Sequence, residues 1–360
     1  MSDSPKGQFP IDSLEEKFNK KWSHIRAARE AAISKREEIG RVLGSTGIKF
    51  LSNDFSLVVF GSLARNEWTG NSDLDWGLLV DSQAHPEHLP VALQIAKLFR
   101  DHELGREPGR TGIFGNLVFS HELVHQIGGK NDPNSNITRR LLLLLESRTI
   151  GSADAYNRVI RVILERYFDQ DSNLFDADKK HFRVPRFLLN DIVRFWRTMA
   201  VDFAGKQRER AGEGWALRNI KLRMSRKLIF ATGVLMCFSC YTRLPAVTDG
   251  SEKSTDIFIK HVSAFVERPP LEILADALLQ YSIPAETVFE LLDSYDLFLE
   301  CLNDVKRRPH LEKLSYEDSI SDTVFQQMRK VGQRFQHGLD HLFFQNNDEL
   351  KQLIRHYGIF

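Results

Sequence analysis

Apolar positions recur with two different periods along this chain, and the change of period divides it. Leu14, Phe18, Trp22, Ile25, Ala28, Ala32 and Ile39 form a helical stripe among Lys, Arg and Glu. One long helix is therefore expected from Ser13 to about Leu43, opened by a Ser13–Glu16 capping box and ended by Gly44 and Gly47. Strand patterns follow. Phe55-Ser-Leu-Val-Val-Phe60 closes on Gly61, Leu74 to Val80 is a second apolar run, and Leu117 to Ile127 alternates as a third. A helix is expected over 87–104, between the second and third strands. Gly128 to Asn136 has the composition of a loop.

From Ile137 onward the period is helical almost throughout. Helices are expected over about 137–147, 152–168, 185–208, 215–242, 254–266, 270–280, 284–304 and 321–356. The expected class is α+β, with a small mixed-sheet domain followed by an all-helical one. The expected segments are an N-terminal helix at 1–45, the sheet domain at 46–150 and a helical domain at 151–360.

Composition narrows the function classes. A chain of 360 residues, 42% hydrophobic and 27% charged, is an ordinary globular protein. Its formal net charge of +1 gives no global signal for nucleic acid or membrane, so any electrostatic argument must be local. Cys237 and Cys240 form a C-x-x-C, but inside the apolar run Leu228 to Tyr241. Core packing in a reducing compartment is the expected role, rather than zinc or redox chemistry. No apolar run reaches the ~20 residues of a membrane span, and the polar N-terminus lacks a signal-peptide core. A cytoplasmic location is expected.

The chemistry concentrates in residues 58–80. An apolar strand runs into Gly61-Ser62, ten residues follow, and Asp73-Leu74-Asp75 opens the next apolar strand. Gly61 allows the backbone to approach a ligand closely, a helical turn after it would aim N–H groups at an anion, and Ser62 offers a hydroxyl to a phosphate oxygen. In an extended segment Asp73 and Asp75 project to one face while Leu74 enters the core. Adjacent carboxylates repel unless a cation joins them, and hard oxygen pairs suit Mg²⁺ or Mn²⁺.

This segment resembles the signature of the polymerase-beta-like nucleotidyltransferase superfamily. Its form, with Arg65, Glu67 and Ser72 in the matching places, is similar to the nucleotidyltransferase domain of PII-protein uridylyltransferases and their relatives. Leu145-Glu-Ser-Arg-Thr-Ile-Gly151 is a second local similarity. The resemblance implies that Gly61 and Ser62 contact a nucleoside triphosphate such as ATP, with Ser72 helping. It also implies that Asp73 and Asp75 bind the metals. Arg65 either joins that group or forms a salt bridge to Glu67 or Glu146, and Trp68 is expected to pack. The superfamily uses a third carboxylate as metal ligand and base; Glu122 is the expected one, with Asp132 behind it. The chain has no His-Asp dipeptide, so the hydrolytic activity of the uridylyltransferases is not expected of it.

Residues 186–227 hold eleven Lys/Arg against four Asp/Glu. Within them Arg218, Lys221 and Arg226 sit near helical spacing while Leu217, Ile220, Met224 and Leu228 lie on another face, and Lys221 and Arg226 are expected to bind the triphosphate or an anionic acceptor. The expected activity is transfer of a nucleoside monophosphate from the triphosphate to a hydroxyl of a protein, a small molecule or an RNA, releasing pyrophosphate. Alternatives are a signalling-nucleotide synthase, a non-catalytic nucleotide-binding or RNA-binding module, and a component of a toxin–antitoxin or defence pair.

Overall fold

A computed structural model describes residues 9–45, 53–106, 114–115, 117–125, 127, 132–171, 174–175, 181–209, 214–244 and 254–359. In chain order its elements are α1 (Pro10–Phe18), α2 (Ser23–Ser45), β1 (Phe55–Phe60), α3 (Gly61–Ala64), β2 (Trp76–Val80), α4 (His88–Asp101), β3 (Leu117–Phe119), α5 (Ser120–Val124), α6 (Asn134–Leu145), β4 (Ser147–Ile150), α7 (Asp154–Gln170) and α8 (Arg186–Glu209). Then come α9 (Trp215–Lys221), a π-helical turn (Leu222–Arg226), α10 (Lys227–Arg243), α11 (Ser254–Val266), α12 (Pro270–Gln280), α13 (Ala285–Asn303), α14 (Arg307–Lys313), α15 (Tyr316–Ser319), α16 (Thr323–Phe344), α17 (Asp348–Leu353) and a second π-helical turn (Ile354–Ile359). The class is α+β. No helix among the described residues is long and apolar enough to cross a membrane.

The chain forms two compact units. One comprises 28–198 and 239–267, the other 1–27, 199–238 and 268–360. These do not coincide with the linear segments 1–45, 46–150 and 151–360. The physical reason lies in α7, whose buried Ala155, Tyr156, Val159, Ile160, Ile163 and Leu164 need a partner, and which packs on β1.

In the unit containing 28–198, four strands form a mixed sheet in the order β3-β2-β1-β4. β1 pairs antiparallel with β2 and β4, and β2 pairs parallel with β3. Side chains alternate across the pleat, so each strand feeds two layers. Leu57 and Val59 of β1, Trp76, Leu78 and Val80 of β2, and Ile150 of β4 pack with Ala32, Ile39 and Leu43 of α2 and Ala92, Ile95, Leu98 and Phe99 of α4. On the other face Val58, Phe60, Gly77, Leu79 and Val118 meet Leu142 and Leu143 of α6 around a small apolar pocket. There Ser56 of β1 accepts from the Tyr156 backbone N–H at 3.1 Å.

A fully buried polar knot holds the helices behind this face. Arg140 of α6 donates to Asp132 (2.6 Å), Asp191 (3.1 Å) and the Tyr167 hydroxyl (3.0 Å), and that hydroxyl donates to Asp191 (2.6 Å). Each charge is matched by two or more hydrogen bonds, the condition under which burying it is tolerable. Burial lowers the Arg140 pKa, but the Tyr167 phenol and the Asp132 carboxylate outweigh it and hold the pKa above its ordinary value.

In the unit containing 268–360, α13 and α16 pack along their length through Leu291, Tyr295, Phe298, Phe335 and Leu339. The rings of Tyr295 and Phe335 meet at 5.7 Å, tilted by 55°. The expected apolar face of α9 and its continuation is confirmed: Leu217, Ile220, Met224 and Leu228 are all buried. Cys237 and Cys240 are buried thiols, in keeping with core packing. Burial pushes the Cys240 thiol far above its ordinary range.

Several expectations are corrected. The N-terminal helix is two helices, broken at Asn19, whose φ of 48° is left-handed. Ser13 lies inside α1 and caps nothing; the buried Glu15 instead accepts from the Trp22 backbone N–H at 2.7 Å. Asp296 accepts from His24 and Ile25 at 2.8 and 2.9 Å, satisfying N–H groups that the first turn of α2 cannot pair internally. The expected third strand ends at Phe119 and continues as α5, and β4 was not expected. The helix expected over 321–356 is α16, α17 and a π-helical turn, and α14 and α15 precede it.

Candidate functional site

The pleat decides the site. Leu74 is buried in the sheet core with Trp76, Leu78 and Val80. Asp73 and Asp75 therefore lie on the opposite side of their segment, Asp73 exposed and Asp75 half-buried. The backbone is held as the strand pattern requires: the Phe60 N–H donates to the Asp75 carbonyl at 2.8 Å, and the Leu74 N–H to the Arg106 carbonyl at 2.9 Å. Asp73 and Arg106 form a parallel bridge.

Gly61 faces the same carboxylate. Its φ is +64°, a left-handed conformation that side chains disfavour. A Cβ there would stand 2.7 Å from Asp75 Oδ2. The strand-to-helix turn is thus drawn against the second aspartate at a distance only glycine permits. Ser62 follows, half-buried, in the first turn of α3.

The short helix α3 is fixed at its far end. Its C-terminal cap is a Schellman closure, in which the Glu67 N–H donates to the Ser62 carbonyl at 2.8 Å around Asn66 at φ 61°. Arg36 of α2 donates to the Leu63 carbonyl at 2.5 Å and to Asn66 Oδ1 at 2.8 Å. Arg148 of β4 donates to the Ala64 carbonyl at 3.3 Å. Cations at this end complement the helix dipole. Burial, and then the nearby Arg148, lower the Arg36 pKa to about 10, and burial lowers that of Arg148.

Arg65 is the next link. It is buried, donates to Glu67 at 3.0 Å, and pairs with Glu146 immediately before β4. Both salt bridges anticipated from the sequence form together, tying the motif loop to the edge of the sheet. Of the two roles the sequence left open for Arg65, the structure shows the salt bridge, with the guanidinium held by two buried carboxylates. Ser72 is also structural: its buried hydroxyl accepts from the Thr69 N–H and meets the Thr69 hydroxyl, both at 3.1 Å, closing the turn before Asp73. Trp68 is buried in the sheet core, as expected, against Gly105.

The sequence's candidate for a third carboxylate is Glu122, with Asp132 behind it. Glu122 lies on α5, exposed, and pairs with Arg139 at 3.1 Å. β3 runs parallel to β2 with Leu117 opposite Leu78. Asp75 precedes β2, whereas Glu122 follows β3, so they stand at opposite ends of the paired strands. The five residues from Asp75 to Val80, the partner of Phe119, alone span about 16 Å. Asp132 is consumed by Arg140. Among the described residues, no third Asp, Glu, His or Cys groups with Asp73 and Asp75.

Lys221 ends α9 and Arg226 ends the π-helical turn, both half-buried, in the other compact unit. Part of the basic run around them is matched locally. Arg223 donates to Asn219 at 2.8 Å and Lys227 to Gln336 of α16 at 2.5 Å.

The pair Asp73 and Asp75 fits a hard divalent cation, since it offers oxygen donors and leaves most positions to water and phosphate. A search of curated proteins finds no match. Residues 45–107 match the family model of the nucleotidyltransferase domain, which supports the polymerase-beta-like superfamily for the segment that carries Gly61, Ser62, Asp73 and Asp75.

Proposed function

We propose that the chain transfers a nucleoside monophosphate from a nucleoside triphosphate to a hydroxyl acceptor, releasing pyrophosphate. The observation that carries this reading is the close approach of Gly61 to Asp75, with Asp73 on the same face. Gly61 and Ser62 would present backbone N–H groups and a hydroxyl to the triphosphate. Asp73 and Asp75 would hold Mg²⁺ or Mn²⁺. When bound, the cation would neutralise charge on the phosphates and hold the nucleophile and leaving group in line. The chain's own contribution is a rigid frame: Arg65, Glu67 and Glu146 fix the loop between the two half-sites, and Arg36 and Arg148 fix α3.

The acceptor is proposed to be a protein hydroxyl, on the resemblance of 58–80 to PII-protein uridylyltransferases. Lys221 and Arg226 are retained as a proposed anion-binding face for triphosphate or acceptor. Charge reversal at both would lower nucleotide affinity; unchanged affinity and activity would remove them from the site.

A second reading is favoured by one observation. With Glu122 at the far end of β3 and Asp132 held by Arg140, the aspartate pair has no third acid among the described residues. Non-catalytic nucleotide binding accounts for that directly. Incubation with each α-labelled triphosphate and Mg²⁺ or Mn²⁺, with and without cell extract, separates the readings. Label on a protein, RNA or small product that disappears in Asp73→Ala/Asp75→Ala supports the transferase. Triphosphate binding without transfer supports the binding module, and a labelled nucleotide product from triphosphate alone supports a signalling-nucleotide synthase.

A further inference from the structure

The second cluster of metal-ligating side chains stands in the other compact unit, on the α13–α16 pair. His337 and His341 are one helical turn apart on α16, so both imidazoles emerge on one face. Their ring centroids are 4.0 Å apart. Glu290 of α13 faces them, with Oε1 2.8 Å from His337 Nδ1 and Oε2 3.4 Å from His341 Nδ1. One ligand atom from each residue lies within 4.8 Å of the other two.

The helix packing creates this convergence. Gly338 sits between the two histidines in sequence, and a Cβ there would stand 2.7 Å from Leu291 Cγ and 3.2 Å from Glu290 Cβ. Absence of that Cβ lets α13 approach close enough to bring the Glu290 carboxylate under both rings.

Ion pairing reaches both carboxylate oxygens but leaves one of them without a hydrogen bond. His337 takes Oε1, but Glu290 Oε2 is a buried atom with no hydrogen-bond partner. A buried carboxylate oxygen without a donor is costly. Two imidazoles one turn apart with a carboxylate from a facing helix make a donor set of borderline softness, which suits Zn²⁺. His337 is the most exposed of the three and leaves a solvent side for a fourth ligand.

We propose that Glu290, His337 and His341 form a Zn²⁺ site that joins α13 to α16, with water completing the tetrahedron. It is independent of the aspartate pair, whose hard oxygens favour Mg²⁺ or Mn²⁺.

The test titrates the EDTA-stripped full chain with Zn²⁺ against a chromophoric chelator. One equivalent should bind to the native chain and equally to Asp73→Ala/Asp75→Ala. Glu290→Gln and His341→Ala should each weaken that binding by at least about 100-fold, since even loss of an outer partner costs ~10–100-fold. Zn²⁺ should raise the unfolding temperature of the native chain but not of His337→Ala/His341→Ala. If that double variant does not fold, the exposed single variant His337→Ala carries the same readout. Absence of stoichiometric Zn²⁺, or unchanged affinity when both histidines are removed, overturns the proposal.

Discussion

Gly61→Ala tests the geometry on which the candidate site rests. Alanine at φ +64° costs about 1–2 kcal/mol, from the clash of Cβ with its own backbone. The new Cβ also meets Asp75 Oδ2 at 2.7 Å, so the oxygen must retreat by about 0.7 Å to reach ordinary contact at 3.4 Å. The carboxylate is the end of a side chain and can rotate, so this second effect falls on ligand geometry more than on folding. A displacement near 1 Å can cost about 10²-fold at a reacting centre. The expected outcome is an unfolding temperature lowered by roughly 2–8 °C and a loss of about 10²-fold in Mg²⁺-dependent triphosphate binding or transfer. Gly70→Ala is the control: Gly70 lies in the same loop, exposed, and a Cβ there meets nothing within 4 Å. Fluorescent-nucleotide titration with and without Mg²⁺, beside thermal unfolding, reads both effects under either functional reading. A Gly61→Ala chain that binds Mg²⁺ and triphosphate as well as Gly70→Ala does would refute the assignment of Gly61 and Asp75 to one site.

Four further outcomes are expected. Arg65→Met leaves Glu67 and Glu146 buried without their guanidinium and costs about 3–5 kcal/mol in denaturant unfolding; a loss under 1 kcal/mol would show that the triad does not hold the loop. Glu122→Ala leaves nucleotide binding and any transfer unchanged and alters stability by less than about 1 kcal/mol, because its pair with Arg139 is exposed; abolished transfer would restore it as the third carboxylate. Tyr167→Phe removes the hydroxyl shared by Arg140 and Asp191 and costs about 1–3 kcal/mol, measured in the same way. Burial, and then the nearby Arg243, lower the His261 pKa to about 4, with its Nε2 2.8 Å from the Ser239 hydroxyl. The folded chain then resists a proton that the unfolded chain accepts near pH 6.5, so its contribution is present above pH 6.5 and is lost as pH falls towards 4. His261→Gln should flatten the fall in unfolding temperature between pH 6.5 and 4; an unchanged slope would show that His261 is not the group responsible.

Much of the site was legible because strand periodicity is strict. With a period of two, Leu74 in the core obliges Asp73 and Asp75 to share the other face, and no tertiary information is needed. Arg65, Glu67 and Glu146 were recognisable as potential partners because like residues recur at those positions of the resembled motif. What could not be read was where parallel pairing would set β3. Alternating apolar residues from Leu117 to Ile127 suit a strand, yet Leu123 and Ile127 are also one helical turn apart, and Ser120 to Val124 folds as a helix. That switch carries Glu122 past the end of the sheet. The four residues of β4 carry no period of their own; they become a strand because β1 presents an unpaired edge.

The sequence alone determined the class of the chain, the spacing of the motif and the buried faces of α2 and α9, because each depends on spacing within one element. The tertiary structure alone decided which charges meet. It paired Arg65 with Glu146, Ser72 with Thr69, Glu122 with Arg139 and Asp132 with Arg140, and brought Glu290 of α13 beneath His337 and His341 of α16. Such pairings join residues far apart in sequence, as in Arg65 with Glu146 across 81 positions, and are set by how helices and strands pack after they form. No local pattern encodes a distance that only packing creates.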